Sequence, residues 1–214
     1  MSCSLGIHES QSRLWENLVG RSEAFWQYWL PRARDYFPDL HGVGLDGVLR
    51  AVNLAQPSLI RTEADEVTYN LHIILRFELE RRLVDGSLAV ADLPDAWRER
   101  MNHYFGVAPE TDRDGVLQDV HWASGALGYF PTYTLGNIYA AQLMQAAEAA
   151  IGTLHDAFAA GEFRVLLDWL RTHIHRQGQS LRPVELIRAA TGGMPTPGPL
   201  LAHLARKVAR LEAS

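Results

Sequence analysis

Apolar positions recur at three- and four-residue spacing along most of this chain, the period of helices that bury one face. The pattern is clearest over residues 63–84, where Val67, Leu71, Ile74, Leu75, Leu79 and Leu83 form a stripe that Asp85-Gly86 closes. A second long stripe, from Leu135 through Ile138, Tyr139, Leu143 and Ala147 to Leu154, predicts a helix over 134–158. Asp92-Leu93-Pro94 marks a helix start, with Asp as cap and Pro in the first turn, and Gly106 marks its stop after Phe105. Shorter amphipathic helices are expected over 45–53, 162–174, 184–190 and 199–211, with a Gly/Pro-rich loop over 192–198. At the start, a helix over 5–30 is expected to end at Pro31. No alternating, β-branched run calls for a strand. The predicted class is all-α, with residues 1–214 as a single helical domain.

Three segments break the amphipathic rhythm. In the first, His8, Glu9, Ser10, Gln11, Ser12 and Arg13 crowd a helix whose apolar stripe is only Ile7, Leu14 and Val19. Polar groups on an inner face need hydrogen-bond partners or a metal, so this helix is expected to line a site. The second is Ile60-Arg61-Thr62-Glu63-Ala64-Asp65. The third is Gly115-Val116-Leu117-Gln118-Asp119-Val120-His121-Trp122, followed by Gly128-Tyr129-Phe130-Pro131-Thr132-Tyr133. Each also has an ordinary structural reading. Glu9 suits a surface ion pair, and Arg61 balances the acids of a helix start. His121 suits a hydrogen-bonded structural histidine, and Tyr129 and Tyr133 suit packed rings with satisfied hydroxyls. His173-x-His175 makes a poor metal pair, because residues two apart diverge on a helix.

Composition narrows the function classes. With 214 residues, 47% of them hydrophobic and 21% charged, the chain can bury a core. The net charge of −5 and the lack of any Lys/Arg block longer than a pair argue against nucleic acid as a partner. A lone cysteine, Cys3, excludes an internal disulfide and a thiolate zinc site. No apolar run approaches membrane-spanning length and no signal peptide opens the sequence, so a cytoplasmic protein without membrane contact is expected.

Taken together, His8-Glu9-Ser10-Gln11, residues 60–65 and residues 115–122 resemble the signatures of the thermostable (Taq-type) zinc carboxypeptidases, in that family's order and at similar separations. The flanks Ser12-Arg13-Leu14-Trp15-Glu16-Asn17 and Val67-Thr68-Tyr69-Asn70-Leu71-His72 agree, and the resemblance runs from about Leu5 to the C-terminus. It implies a helical, cytoplasmic homodimer that removes single residues from peptide C-termini with one divalent metal, zinc or another such as cobalt. Glu9 is implied to be the third protein ligand, opposite two histidines of a His-Glu-x-x-His helix whose glutamate is the general base. Arg61 is implied to bind the substrate's free carboxylate, which suits the guanidinium's bidentate fork. His121 and one of Tyr129 and Tyr133, with Tyr133 favoured, are implied to donate to the oxyanion or orient substrate. Asp119 and Gln118 are implied to support them.

No His-Glu-x-x-His occurs here, although there are nine histidines. On that ground the chain is expected to be the truncated, C-terminal helical part of a larger metallopeptidase catalytic domain, with Met1-Ser2-Cys3 an artificial or misassigned start. It would then supply one metal ligand and the substrate-binding residues, hold no metal stably and be inactive alone. The alternatives are a non-catalytic binding or dimerisation module derived from that scaffold, and a split enzyme completed by a separate chain.

Overall fold

A computed structural model describes residues 3–212, and every regular element among them is helical. In chain order the helices are α1 (Leu5–Arg13), α2 (Glu23–Tyr36), α3 (Leu45–Asn53), α4 (Tyr69–Val84), α5 (Leu93–Phe105), α6 (Pro131–Ile151), α7 (His155–Ala159), α8 (Arg164–His173), α9 (Pro183–Thr191) and α10 (Gly198–Glu212). Contacts divide the chain into two compact units, one formed by Met1–Leu54 with Leu135–Ser214 and the other by Ala55–Thr134. Among the described residues no helix is long and apolar enough to cross a membrane.

In the first unit, Ser4 Oγ accepts the Ile7 N–H at 3.1 Å and caps α1, which passes into a π-helical turn over Leu14–Val19. The chain then breaks, and Ser22 Oγ accepts the Phe25 N–H at 3.2 Å to start α2 afresh. The single helix expected over 5–30 is therefore two, because Ser22 is a cap that apolar periodicity does not register. Pro31 lies inside α2 instead of ending it. Proline forfeits one backbone hydrogen bond, but its fixed φ is helical and the helix upstream is already propagating. The expected helix over 134–158 likewise divides into α6 and α7, at Gly152 with φ 97°. Leu14, Leu143, Ala147, Leu166, Leu170 and Ile187 are fully buried together, and Phe25 packs on Phe163 with ring centroids 5.7 Å apart.

In the second unit, α4 starts at Tyr69, six residues later than the spacing predicts. Asp65 is the cause: its Oδ1 accepts the N–H groups of Val67 at 2.7 Å and Thr68 at 3.0 Å, holding a turn where the helix was expected. The buried face is also rotated from the predicted stripe. Tyr69, His72, Ile73, Arg76 and Glu80 turn inward with Leu75 and Leu79, while Ile74 is left exposed. Leu75, Leu79, Trp97 and Met101 make the α4–α5 core, each contributing about 2 kcal/mol by its burial. The expected stop of α5 holds, with Gly106 at φ 69°.

Candidate active site

The second unit gathers the polar groups of two separate segments around α4. Arg61 lies in a single 3₁₀ turn and is buried. Its Nε and Nη2 donate to Asp119 Oδ1 at 3.0 and 2.6 Å, and its Nη1 donates to the Tyr69 hydroxyl at 3.0 Å. From α4, Arg76 donates through Nε to the other oxygen, Asp119 Oδ2, at 2.7 Å. Gln118 ties the two together: its Oε1 accepts the Arg61 backbone N–H at 2.9 Å and Arg76 Nη2 at 2.8 Å. Its Nε2 donates to the carbonyls of Leu59 and Asp114 at 3.0 and 2.8 Å.

Burial and pairing set the charges. Burial works against the Arg61 cation, yet its bonds and attraction to Asp119 and Tyr69 raise its pKa above the ordinary value. Arg76 has no exposed surface, and burial brings it down to about 10, still charged at neutral pH. Burial also opposes ionisation of Asp119, but the two guanidiniums outweigh it and hold the carboxyl below its usual range. The Arg61 guanidinium lies 5.0 Å from the centre of the Tyr133 ring, and that of Arg76 lies 4.6 Å from the Trp97 ring.

His121 stands beside this cluster, with Nε2 2.9 Å from the Tyr133 hydroxyl. Its ring packs on Phe130 and Tyr129, at 4.4 and 5.2 Å between centroids. Burial lowers its pKa, Asp119 and Glu80 oppose that, and Arg61 and Arg76 add to it. Glu80 supports the loop from behind, accepting Trp122 Nε1 at 2.8 Å and the Gly128 N–H. Four of the five sequence-predicted residues thus share this unit: Arg61, His121, Tyr129 and Tyr133. Of the two tyrosines, Tyr133 is the one bonded to His121. Arg76, Tyr69 and Glu80 were missed, and the signal for them was available. They sit at three- and four-residue spacing with His72 and Ile73, a polar stripe on a helix that cannot leave charges inside without partners.

Glu9 belongs to the first unit, on α1. Its Oε1 accepts Arg13 Nε at 2.8 Å, one helical turn away. Its neighbours are satisfied locally: Ser10 Oγ donates to the Ile7 carbonyl at 2.7 Å, and Ser12 Oγ to the Glu9 carbonyl at 3.0 Å. Glu9 packs against Gly136, where a Cβ would come within 2.7 Å of Glu9 Cγ. A catalytic zinc takes three protein ligands and a water. Among the described residues no three His, Cys, Asp or Glu side chains converge, so these residues do not by themselves complete such a centre. His173 and His175 diverge as expected, one stacked on Trp169 at 4.5 Å and the other 2.9 Å from Gln11 Oε1.

Comparison with known proteins gives the class first: the chain belongs to the carboxypeptidase Taq (M32) metallopeptidase family, whose model matches residues 1–208. Among individual relatives, it is 57% identical to thermostable carboxypeptidase 1 of Thermus thermophilus over 208 residues, covering 97% of this chain and 41% of that protein. It is 41% identical to carboxypeptidase 1 of Bacillus subtilis, over 97% of this chain and 42% of the relative. A crystal structure of the M32 carboxypeptidase from Deinococcus radiodurans R1 matches 100% of this chain and 43% of its own, with 50% identity and a TM-score of 0.96. The chain spans about two fifths of the length of these relatives.

The match corrects several expectations. It begins at residue 1, not at about Leu5, although Met1 and Ser2 lie outside the described residues. Family likeness therefore extends over nearly the whole chain, and the description of a mere C-terminal remnant is replaced by that of a family member along its length. The expected inactivity in isolation, the expected lack of stably bound metal and the non-catalytic module were all drawn from one missing motif. A short motif reports on its own few residues and not on the remaining two hundred or so, so these three expectations are withdrawn with the remnant. The all-α class stands.

Proposed function

We propose that the protein is a cytoplasmic metallocarboxypeptidase that releases the C-terminal residue of peptides, and that this chain recognises the substrate's free carboxylate and polarises the scissile carbonyl. One observation carries this reading: the buried Arg61 guanidinium lies against the Tyr133 ring whose hydroxyl meets His121. An anion receptor and a hydrogen-bond donor pair then share one wall. An exopeptidase needs that pairing, because the distance from chain end to scissile bond is one residue.

Arg61 uses three of its five N–H donors on Asp119 and Tyr69, leaving two for a carboxylate. Asp119 fixes the fork, so little side-chain entropy is lost on binding. His121 Nε2, 2.9 Å from the Tyr133 oxygen, orients the phenol, whose hydroxyl suits an acceptor that gains charge in the transition state. Tyr129 packs with its ring tilted at 5.5 Å from that of Tyr133 and flanks the pair.

The test is hydrolysis of a blocked dipeptide as free acid and as amide. The acid is expected to lose its C-terminal residue and the amide to resist. Arg61→Gln should raise KM about 10-fold or more. Tyr133→Phe should lower kcat about 100-fold, and Tyr129→Phe only a few-fold. Equal handling of acid and amide would overturn the reading.

A further inference from the structure

We propose that Arg76 is the positioning residue that keeps Arg61 receptive to an anion, by drawing off half of the Asp119 carboxylate bonded to it. The inference rests on the carboxylate-recognition reading above and adds to it the residue that sets the charge of the receptor.

Asp119 is shared without overlap. Oδ1 receives Arg61 at 3.0 and 2.6 Å, while Oδ2 receives Arg76, through Nε at 2.7 Å with Nη2 2.6 Å away. Two guanidiniums on one carboxylate leave one positive charge in excess. Glu80 and Asp65 do not cancel it by direct bonds. Glu80 is engaged by Trp122 and Gly128, and Asp65 by the backbone N–H groups of Gln56, Val67 and Thr68 and the Thr68 hydroxyl. Arg61 paired alone with Asp119 would be a neutral salt bridge, and an incoming carboxylate would compete with Asp119 for it. With Arg76 present, the cluster gains by accepting a second anion.

Arg76 cannot touch substrate itself. It has no exposed surface, lies 4.6 Å from the Trp97 ring centre and donates to the His72 carbonyl at 2.8 Å. It acts through Asp119 and through Gln118, whose Oε1 also accepts the Arg61 backbone N–H. Burying a cation is costly, and burial is the chief cause of its lowered pKa. A second arginine that served packing alone would be better replaced by an apolar side chain. An excess charge aimed at a ligand gives that cost a purpose.

The experiment measures, by titration calorimetry on the full chain, the ratio of affinities for a blocked dipeptide acid and its amide. The unaltered chain should prefer the acid by about 10-fold or more, the value of one charge-assisted hydrogen bond. Arg76→Lys should keep most of that preference. Arg76→Met should reduce it to about 3-fold or less, and the double variant Arg76→Met with Asp119→Asn should restore it, because the net charge of the cluster returns to +1. A merely structural Arg76 predicts no such rescue. If Arg76→Met does not fold by circular dichroism, Arg76→Gln, which keeps a donor and drops the charge, takes its place: a preference cut to about 3-fold or less supports the proposal, and one retained intact overturns it. A preference that survives Arg76→Met intact, or a double variant that fails to restore it, also overturns it. No acid preference in the unaltered chain defeats instead the carboxylate reading beneath it.

Discussion

The opening helix and the Arg61 cluster look alike as sequence, each a run of polar residues interrupting an apolar rhythm, yet they are satisfied in opposite ways. On α1, Glu9 pairs with Arg13 four residues on, and Ser10 and Ser12 bond to carbonyls three residues back. In the second unit, Arg61 bonds to Asp119 58 residues away, and Arg76 to the same carboxylate 43 residues away. The first set is satisfied within one helical turn and only partly shielded, with Ser10 buried and Glu9 and Arg13 part-exposed, and a local i,i+4 ion pair contributes little. The second is dry, where removing any partner strands a charge. Local polarity shapes a helix surface, whereas long-range polarity commits a fold to one arrangement and builds a receptor.

The largest expected effect tests that contrast at its deep end. Asp119→Ala leaves two buried guanidiniums unpaired and should destabilise the chain by about 3–5 kcal/mol in urea melts. A loss below about 1 kcal/mol would mean that the cluster is no more committed than α1.

Acid provides the next test. His72 is fully buried with both ring nitrogens unpartnered, and burial first, then Arg76 and Arg61, bring its pKa from 6.5 to about 4. Because the folded-state pKa is the lower one, the unfolded chain binds the extra proton. Stability should therefore fall by about 3 kcal/mol as pH drops from about 6.5 to 4. His72→Leu should flatten that part of the pH profile and stabilise the chain at pH 7 by about 1 kcal/mol. An unchanged slope in the variant would place the acid sensitivity elsewhere.

Gly136→Ala probes packing on the shallow side. The added methyl would meet Glu9 Cβ at 2.8 Å and its backbone carbon at 3.2 Å, which α1 can relieve only by shifting as a body. A destabilisation of about 1–3 kcal/mol is expected in thermal melts. The smallest effect is Glu9→Gln, which should change stability by about 0.5 kcal/mol or less. If it matched Asp119→Ala, the distinction between the two clusters would collapse.

Legibility followed the same division. Helix existence was plain from spacing, as was the stop at Gly106, because a periodic stripe and a left-handed cap are local signals. The break at Gly20-Arg21-Ser22 and the late start of α4 were not, since single side chains, Ser22 and Asp65, decide them. At the site, Arg61, His121 and Tyr133 stood out as motif residues, but nothing in their spacing distinguishes Tyr133 from Tyr129 as the partner of His121. Arg76 went unnoticed because an arginine on a helix is ordinarily a surface residue. Its role depends on Asp119 and Gln118 arriving from a loop some forty residues further along.

The central claim, that the buried guanidinium of Arg61 recognises a peptide's terminal carboxylate, is tested most directly by following the Arg61 Nε–H resonance in a ¹⁵N-labelled chain. Adding a blocked dipeptide acid should shift that resonance in a saturable way, while the corresponding amide leaves it in place. A resonance that ignores both peptides, or answers both alike, would contradict it.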